Sequence, residues 1–317
     1  MQKDSQTMPE IRFPELNVNT YKPNNPVEVT VVDNYIATLE NSPNIIRHIT
    51  FDVSDTELEG NVWPGQSVGI IPEGLTEPDG KPAKVRLYSV SSPGYGEDGK
   101  PHLISITVKR VIEEDLETRN LFLGLCSNYL SSLNPGDKVK MTGPSGKRFV
   151  LPENARDFNY LFFATGTGIA PYRSMLLDLY HRGFKKKAAL IFGAPYRTDL
   201  LYDGLFSQLQ TQHKHFHYLT SISREGTRPD GTKNYVQYQI EDASKVLQPM
   251  LHQSNTLIYI CGLKGMESGV FKALAKNGYS EYLEISDRIE HLDPDQWTAE
   301  DLKKHVKPSS RLFVEVY

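Results

Sequence analysis

Apolar and polar residues alternate in short runs through the first half of the chain. "VEVTVV" (27–32), "IIRHITFDV" (45–53), "SVGII" (67–71), "VRLYSV" (85–90), "LISITVKRV" (103–111) and "DKVKMTG" (137–143) are separated by turns rich in Gly and Pro. A two-residue period sends successive side chains to opposite faces of a strand. Short strands at regular spacing predict a closed antiparallel barrel or a sandwich. "PGQS" (64–67) and "NPGD" (134–137) read as turns in which Pro pre-sets the bend, and "GLCSNYLSSL" (124–133) predicts one helix.

From Asn159 the rhythm becomes strand–helix alternation. "YLFFA" predicts a buried strand, followed by a Gly-rich turn and an amphipathic helix with Met175, Leu176, Leu179 and Tyr180 on one side. Then come a strand at 188–194, a helix near 199–211, a strand at 216–223, a helix near 236–251, a strand at 256–262 and a helix near 266–277. This order predicts a parallel sheet covered by helices on both faces. The acidic stretch 287–304 reads as a surface helix or loop, and the final "RLFVEVY" (311–317) alternates like a half-buried strand that closes the sheet. The fold expected is therefore an antiparallel β-barrel domain, residues 1–153 with an N-terminal extension to about residue 20, followed by an α/β domain, residues 154–317. Two domains suit 317 residues, because single cores rarely grow beyond about 250–300.

Composition narrows the function classes. A net charge of −4 gives no nucleic-acid footprint. No apolar run approaches the roughly 18 residues needed to cross a bilayer. The N-terminus shows neither a signal-peptide core nor a transit pattern, so a reducing, soluble compartment is expected. Two cysteines, Cys126 and Cys261, are too few for an iron–sulfur cluster or a disulfide framework. His213, His215 and His217 would share a strand face and could bind metal, but no thiol or carboxylate supports them, and a plain strand start is the preferred reading.

The chemistry belongs at the carboxyl ends of the parallel strands. "ATGTGIAP" (164–171) stands there: glycines admit a pyrophosphate, the helix N-terminus offers free N–H groups, and Pro171 suits the first turn. An NAD site would want a carboxylate at the end of the next strand, yet that strand ends "IFGAPYR". One strand later, Ser223, Arg224, Lys233 and Tyr235 surround a single loop. They suit a 2′-phosphate and an adenine, hence NADP(H), although a solvated hairpin around Asp230–Gly231 is the plainer alternative. In the barrel half, Arg86 and Tyr88 share a strand face with Ser89 beside them, an arrangement able to hold a flat ring bearing phosphate; an ordinary exposed Arg–Tyr pair is the alternative.

"RLYSVSSP", "VKR", "GLCSNYL", "TGPSGK", "GTGIAPYRS", "SRE…K.Y.Q", "YICGLKGME" and the terminal "VEVY" follow one another as in plant-type (plastidic) ferredoxin–NADP(H) reductases. The chain resembles that family from about Tyr21 to Tyr317. The resemblance implies a barrel that binds FAD and an α/β domain that binds NADP(H). Hydride would pass between NADP(H) and flavin N5, coupled to one-electron exchange with ferredoxin or flavodoxin. It implies Tyr88 against one face of the isoalloxazine and Tyr317 on the other, in the place the nicotinamide needs. Ser89 would stand by N5, Cys261 near the nicotinamide and Glu315 near its amide. Arg86 would bind the FAD pyrophosphate with Gly124, Leu125, Cys126 and Ser127. Leu87, Thr107, Val108, Lys109 and Thr167 would complete the FAD contacts. The NADP(H) groove would be lined by Thr167, Ala194, Pro195, Gly262 and Leu263, with Lys109, Ser223, Arg224, Lys233, Tyr235 and Gln237 on phosphates and adenine.

One departure stands out: no Tyr occurs between Tyr95 and Tyr129, where the family often stacks one on the FAD adenine. Leu121 and Phe122 are available there, and the acidic run Glu113–Asp115 with Glu117 reads as solvated. Lys81, Lys84 and Arg86, with Lys303, Lys304 and Lys307, could frame a basic rim for an acidic ferredoxin. No metal site is expected, and a cytoplasmic bacterial monomer is the expectation, or a plastid-stromal one if the chain is a processed plant enzyme. Oxygenase reductases add an iron–sulfur domain and diflavin reductases an FMN domain, neither of which fits this sequence. A non-catalytic NADP(H) sensor would have lost the flavin-facing residues, which are all present here.

Overall fold

The computed structural model describes residues 8–114 and 119–317. Contacts divide the chain into two units: Phe13–Leu151 with Ala170–Arg182, and Pro152–Ile169 with Gly183–Tyr317 and the segment before Phe13.

The first unit contains strands β1 (Val27–Ile36), β2 (Ile46–Asp52), β3 (Ser67–Ile71), β4 (Arg86–Ser89) and β5 (Leu103–Lys109), a small hairpin of β6 (Ile112–Glu114) and β7 (Leu121–Leu123), helix α1 (Leu125–Ser132), and β8 (Lys138–Ser145). Six of these strands form one antiparallel sheet in the order β4-β3-β8-β1-β2-β5. A bridge between Val90 and Ile106 joins the two ends, which makes the sheet the expected barrel rather than a sandwich. The alternation explains the closure. Val29 and Val31 of β1 point inward with Ile49, Phe51, Val68, Ile70 and Met141, while Glu28 and Val32 beside them in β1 are exposed. Cys126 and Leu130 of α1 are buried in this same core.

The β6–β7 hairpin was not among the expected strands. Its residues are exposed throughout, so no burial period marked it. Of the acidic run on this stretch, Asp115 and Glu117 lie outside the described residues.

After Pro152 come β9 (Asn159–Thr165), α2 (Ala170–His181), β10 (Ala188–Ala194), α3 (Asp203–Gln212), β11 (Phe216–Ile222), α4 (Gln239–Asp242), α5 (Ser244–Leu251), β12 (Thr256–Gly262), α6 (Met266–Lys276), β13 (Leu283–Ile285), α7 (Ala299–His305), β14 (Val306–Pro308) and β15 (Leu312–Val316). Five strands run parallel in the order β11-β10-β9-β12-β15. Every residue of β10 and β12 is buried, which is why they read as unbroken apolar runs. The terminal strand β15 takes the sheet edge beside β12. The chain leaves β9 first toward β10 and later returns on the other side as β12, so the order reverses between β9 and β12, where ligands bind in such sheets.

Two expectations need correction, and a third is made specific. The helix at 236–251 is broken: a 3-10 turn at Val236–Tyr238 leads into α4, and Ala243 leaves the helical region before α5, which also contains Pro249. Of the acidic stretch, read as a surface helix or loop, the end forms α7, started by a capping box between Thr298 and Asp301, and the part before it is turns and a 3-10 segment at Pro294–Gln296. The three histidines do not share a strand. His213 ends α3 and His215 lies in the turn, which leaves only His217 on β11.

Candidate functional site

On the barrel, β4 carries its chemistry on alternate positions. Arg86 and Tyr88 pair across to Ile70 and Val68 of β3, so both belong to the same face of the strand. Tyr88 packs its ring against the barrel core, and its hydroxyl is hydrogen-bonded to the Cys126 thiol; burial pushes the phenol's pKa up and keeps it neutral. Arg86 remains at the surface, where its Nη2 lies 3.0 Å from Glu77 Oε1 and its Nη1 donates to the Lys84 carbonyl at 3.2 Å. The Ser89 hydroxyl has no hydrogen-bond partner among the described residues, so the strand backbone alone sets its position.

Helix α1 starts at Gly124, whose extended conformation precedes the first turn with no side-chain cap. Ser127 Oγ is turned to the backbone instead, donating to Gly124 O at 3.0 Å and accepting from Val111 N at 3.1 Å. The free N–H groups of that turn and the Arg86 guanidinium, close enough to lower the Cys126 thiol pKa, together suit a diphosphate. A Cβ on Gly124 would press on Ser127 and Val111, so the turn needs glycine. Thr107 and Val108 are buried in β5, and only Lys109 at its end is exposed. Leu87, Leu121 and Phe122 are all more than half exposed, an unusual state for large apolar side chains.

The second set of groups gathers at the carboxyl ends of β9, β12 and β15. After Thr165 the chain turns through Gly166–Ile169 as a 3-10 segment into α2. A Cβ on Gly168 would run into the Cys261 carbonyl. Gly262 has φ +151°, and a Cβ there would collide with Thr165. These two glycines let the first and fourth strand ends approach closely, and Thr165 Oγ1 then accepts from Leu263 N at 3.0 Å.

The last residue is fixed from three sides. Tyr317 N donates to Gly262 O at 3.1 Å, its carbonyl accepts from Lys264 N at 2.9 Å, and its hydroxyl lies 2.6 Å from Thr167 Oγ1. Tyr317 as a residue nevertheless stays 57% exposed, while burial raises the pKa of its phenol, so the side chain is tethered with its hydroxyl end covered. Two strand positions away in β15, Glu315 pairs in register with Cys261. Burial raises the Glu315 carboxyl to about 7. Burial, with Glu315 nearby, also holds the Cys261 thiol firmly protonated.

The third set surrounds the end of β11. Ser223 N donates to Ala194 O at 3.0 Å and Arg224 N to Pro195 O at 2.9 Å, which ties this loop to the end of β10. Arg224, Lys233 and Tyr235 are exposed, and Gln237 lies against Gly269 of α6. The hairpin foreseen at Asp230–Gly231 also exists: Arg228 N donates to Thr232 O, and Arg228 is paired with Asp242. The turn and the exposed cations therefore coexist, with Arg228 holding the turn and Arg224 and Lys233 left for an anion.

The basic rim is weaker than its lysine count suggests. Lys81 is paired with Asp79 at 2.9 Å, Arg86 with Glu77 and Lys304 with Glu300 at 2.5 Å. Glu77 and Thr165 are the contributors that the sequence did not mark, because each acts through a neighbour brought near only by the fold.

Residues 162–272 match the family model described as oxidoreductase NAD-binding domain. The ferredoxin–NADP reductase of Thermosynechococcus vestitus is 40% identical over 281 residues, 85% of this chain and 72% of that protein. The chain belongs to the ferredoxin–NADP reductase family. The Spirulina member is 37% identical over 309 residues, 96% of this chain and 99% of that one, and the Arabidopsis thaliana chloroplastic leaf isozyme 1 is 35% identical over 95% of this chain and 79% of that protein. Among solved structures, a ferredoxin–NADP+ reductase from Plasmodium falciparum superposes with a TM-score of 0.69 at 26% identity, covering 94% of this chain and 99% of that one. That likeness over nearly the whole of both chains agrees with the barrel and parallel sheet described above.

Proposed function

We propose that this chain is a working ferredoxin–NADP reductase in which residues 1–153 hold FAD and residues 154–317 hold NADP(H). The observation that carries this reading is how Tyr317 is held: it is tied to Thr167 and Gly262, yet the residue as a whole stays 57% exposed. A terminal aromatic held in this way serves as a displaceable cover for a redox ring, not as core.

When bound, FAD accepts two electrons as hydride from NADPH and passes them on singly to a one-electron carrier. The residues of the chain bind and orient. Arg86 and the N-terminus of α1, from Gly124 to Ser127, hold the FAD diphosphate, with Leu87, Thr107, Val108 and Lys109 completing that side. Tyr88 supplies a neutral ring to stack on, and Ser89 presents its hydroxyl beside the reacting nitrogen. Thr167, Ala194, Pro195, Gly262 and Leu263 line the NADP(H) groove, and Ser223, Arg224, Lys233, Tyr235 and Gln237 grip the 2′-phosphate and adenine. Lys109 serves an NADP(H) phosphate as well. Cys261 is too firmly protonated to act as a nucleophile and positions the nicotinamide instead. Glu315, near neutrality, holds the nicotinamide amide.

Ferredoxin is the electron partner, and flavodoxin is an alternative carrier of the same kind. The protein acts as a monomer, in a bacterial cytoplasm or in a plastid stroma. No helix among the described residues is long and apolar enough to cross a membrane. Because three of the six rim cations, Lys81, Arg86 and Lys304, are paired with carboxylates, partner binding should weaken less with salt than the lysine count alone implies.

The direct test is an absorbance spectrum of the purified protein, followed by rapid mixing with NADPH and, separately, NADH. Flavin bands bleached fast by NADPH and poorly by NADH are expected. A colourless protein that fails to take up added FAD would overturn the assignment.

A further inference from the structure

The segment that follows Ser89 is gripped along its length by helix α2. Arg173, in the first turn of α2, forms a two-point ion pair with Glu97: Nη2 to Oε1 at 2.6 Å and Nη1 to Oε2 at 2.9 Å. The same Nη1 donates to the Ser91 carbonyl at 2.9 Å. Ser105 Oγ donates to Glu97 Oε2 at 2.7 Å and bonds Ser91 Oγ at 2.9 Å. Farther along the helix, Asp178 accepts from Gly94 N, and the His181 ring lies 4.1 Å from that of Tyr95.

Two features argue that this clamp does more than fill space. A cation in the first turn of a helix opposes the helix dipole, so an arginine there needs a specific partner. A charge pair only 11% exposed on each side is also a poor route to stability, since desolvation offsets much of its attraction. What it does provide is directional restraint on the Ser91 backbone, two residues beyond a serine whose hydroxyl nothing else holds. Of the other titratable neighbours, burial raises the Tyr35 and Tyr95 phenols, which stay neutral, and His48, 3.7 Å from Glu97, is lowered to about 4 by burial and the Arg173 charge, so it too stays neutral and leaves Glu97 to Arg173.

We propose that Arg173 and Glu97 are a positioning pair for Ser89: by fixing the exit of β4, they set where the Ser89 hydroxyl stands during hydride transfer. The proposal rests on the reading that Ser89 serves the flavin. Because α2 continues directly from the glycine turn at 166–169, one helix carries both this restraint and the turn assigned to the nucleotide.

The test uses the FAD-loaded enzyme in four forms: wild type, Glu97→Gln, Ser89→Ala and the double variant. Stopped-flow mixing with NADPH gives the limiting rate of flavin bleaching and the apparent Kd for NADPH, and the visible spectrum gives FAD content. Glu97→Gln should slow the limiting rate about tenfold or more at full FAD content, because small misplacements of a reacting group are costly, and should change the Kd by less than about threefold. In the Ser89→Ala background the same change should have little further effect, since residues acting through one another are not additive. An equal loss in both backgrounds overturns the pair's role while leaving Ser89's intact. No loss on Ser89→Ala alone overturns the reading of Ser89, and the proposal falls with it. Should Glu97→Gln not fold, Arg173→Lys, which keeps the charge but loses the fork and the Ser91 contact, replaces it in the same cycle.

Discussion

Glu315→Gln should stabilise this protein at alkaline pH and leave it unchanged in acid. The carboxyl is raised from 4.5 to about 7 by burial beside β12, with no compensating cation. Below about pH 4.5 the group is protonated in both the folded and the unfolded chain, and it contributes no difference. As pH rises toward 7 the unfolded chain ionises while the folded one keeps its proton, so stability falls through that window. Above 7 the penalty is complete. A difference of about 2.5 pH units corresponds to at most about 3.4 kcal/mol. The side chain keeps partial access to water, which reduces the expectation to about 1–3 kcal/mol. Glutamine has nearly the same shape and no charge to desolvate. The assay is the thermal midpoint of the FAD-loaded protein, wild type against variant, at pH 5 and pH 8.5. At roughly 2–4 °C per kcal/mol for units of this size, the variant should gain several degrees at pH 8.5 relative to its offset at pH 5. An offset independent of pH would refute the reasoning, because it would mean that the carboxyl ionises in the folded protein as it does in water.

Three further outcomes are expected. If Tyr317 covers the redox ring as proposed, Tyr317→Ser removes a ring whose displacement costs about one hydrogen bond and some apolar contact, so NADP+ should bind about 5–30-fold more tightly and turnover should slow, as read by difference spectroscopy and steady-state kinetics. Arg224→Gln removes a charge-assisted bond to the 2′-phosphate and should raise KM for NADPH about 10–100-fold while leaving NADH nearly unaffected. Gly262→Ala forces a side chain into a φ of +151° and against Thr165, so strain alone should lower stability by about 1–3 kcal/mol, visible as a lower thermal midpoint and weaker NADP+ binding.

The legible parts of this molecule were those written in local periods. The two-residue alternation of "VEVTVV" and the unbroken run of "AALIFGA" mark, respectively, a strand with one face buried and a strand buried on both, and each took its place. The same held for the glycine turn after β9 and for the terminal strand. What could not be read was whatever depends on partners far apart in the chain. Glu77 meets Arg86 only because a loop folds back, and Glu97 meets Arg173 across 76 positions. The β6–β7 hairpin escaped because neither of its faces is buried, so its pattern carried no period. The histidine triplet misled for the opposite reason. Its two-residue spacing looked like a strand, but α3 extends to Gln212 and a turn intervenes before β11 begins.

In the half proposed to bind NADP(H), the charged and the neutral groups stand at different strand ends. At the ends of β12 and β15, burial favours the neutral form of each acid: the Cys261 thiol stays protonated and Glu315 is poised near 7. The free cations, Arg224 and Lys233, stand instead around the end of β11, which pairs with β10 two strands away from β12. On the proposed reading, strong, charge-assisted binding would fall to the adenine end of the nucleotide, which does not react, and weak neutral contacts to the nicotinamide end, which does. An enzyme that must release NADP(H) on each cycle gains from this separation. On the proposed reading, NADPH would be told from NADH by its 2′-phosphate, while the reacting ring would be held loosely enough for Tyr317 to return. Tight uniform binding at the nicotinamide would lower KM without raising kcat. On that reading the tethered Tyr317 would impose that limit.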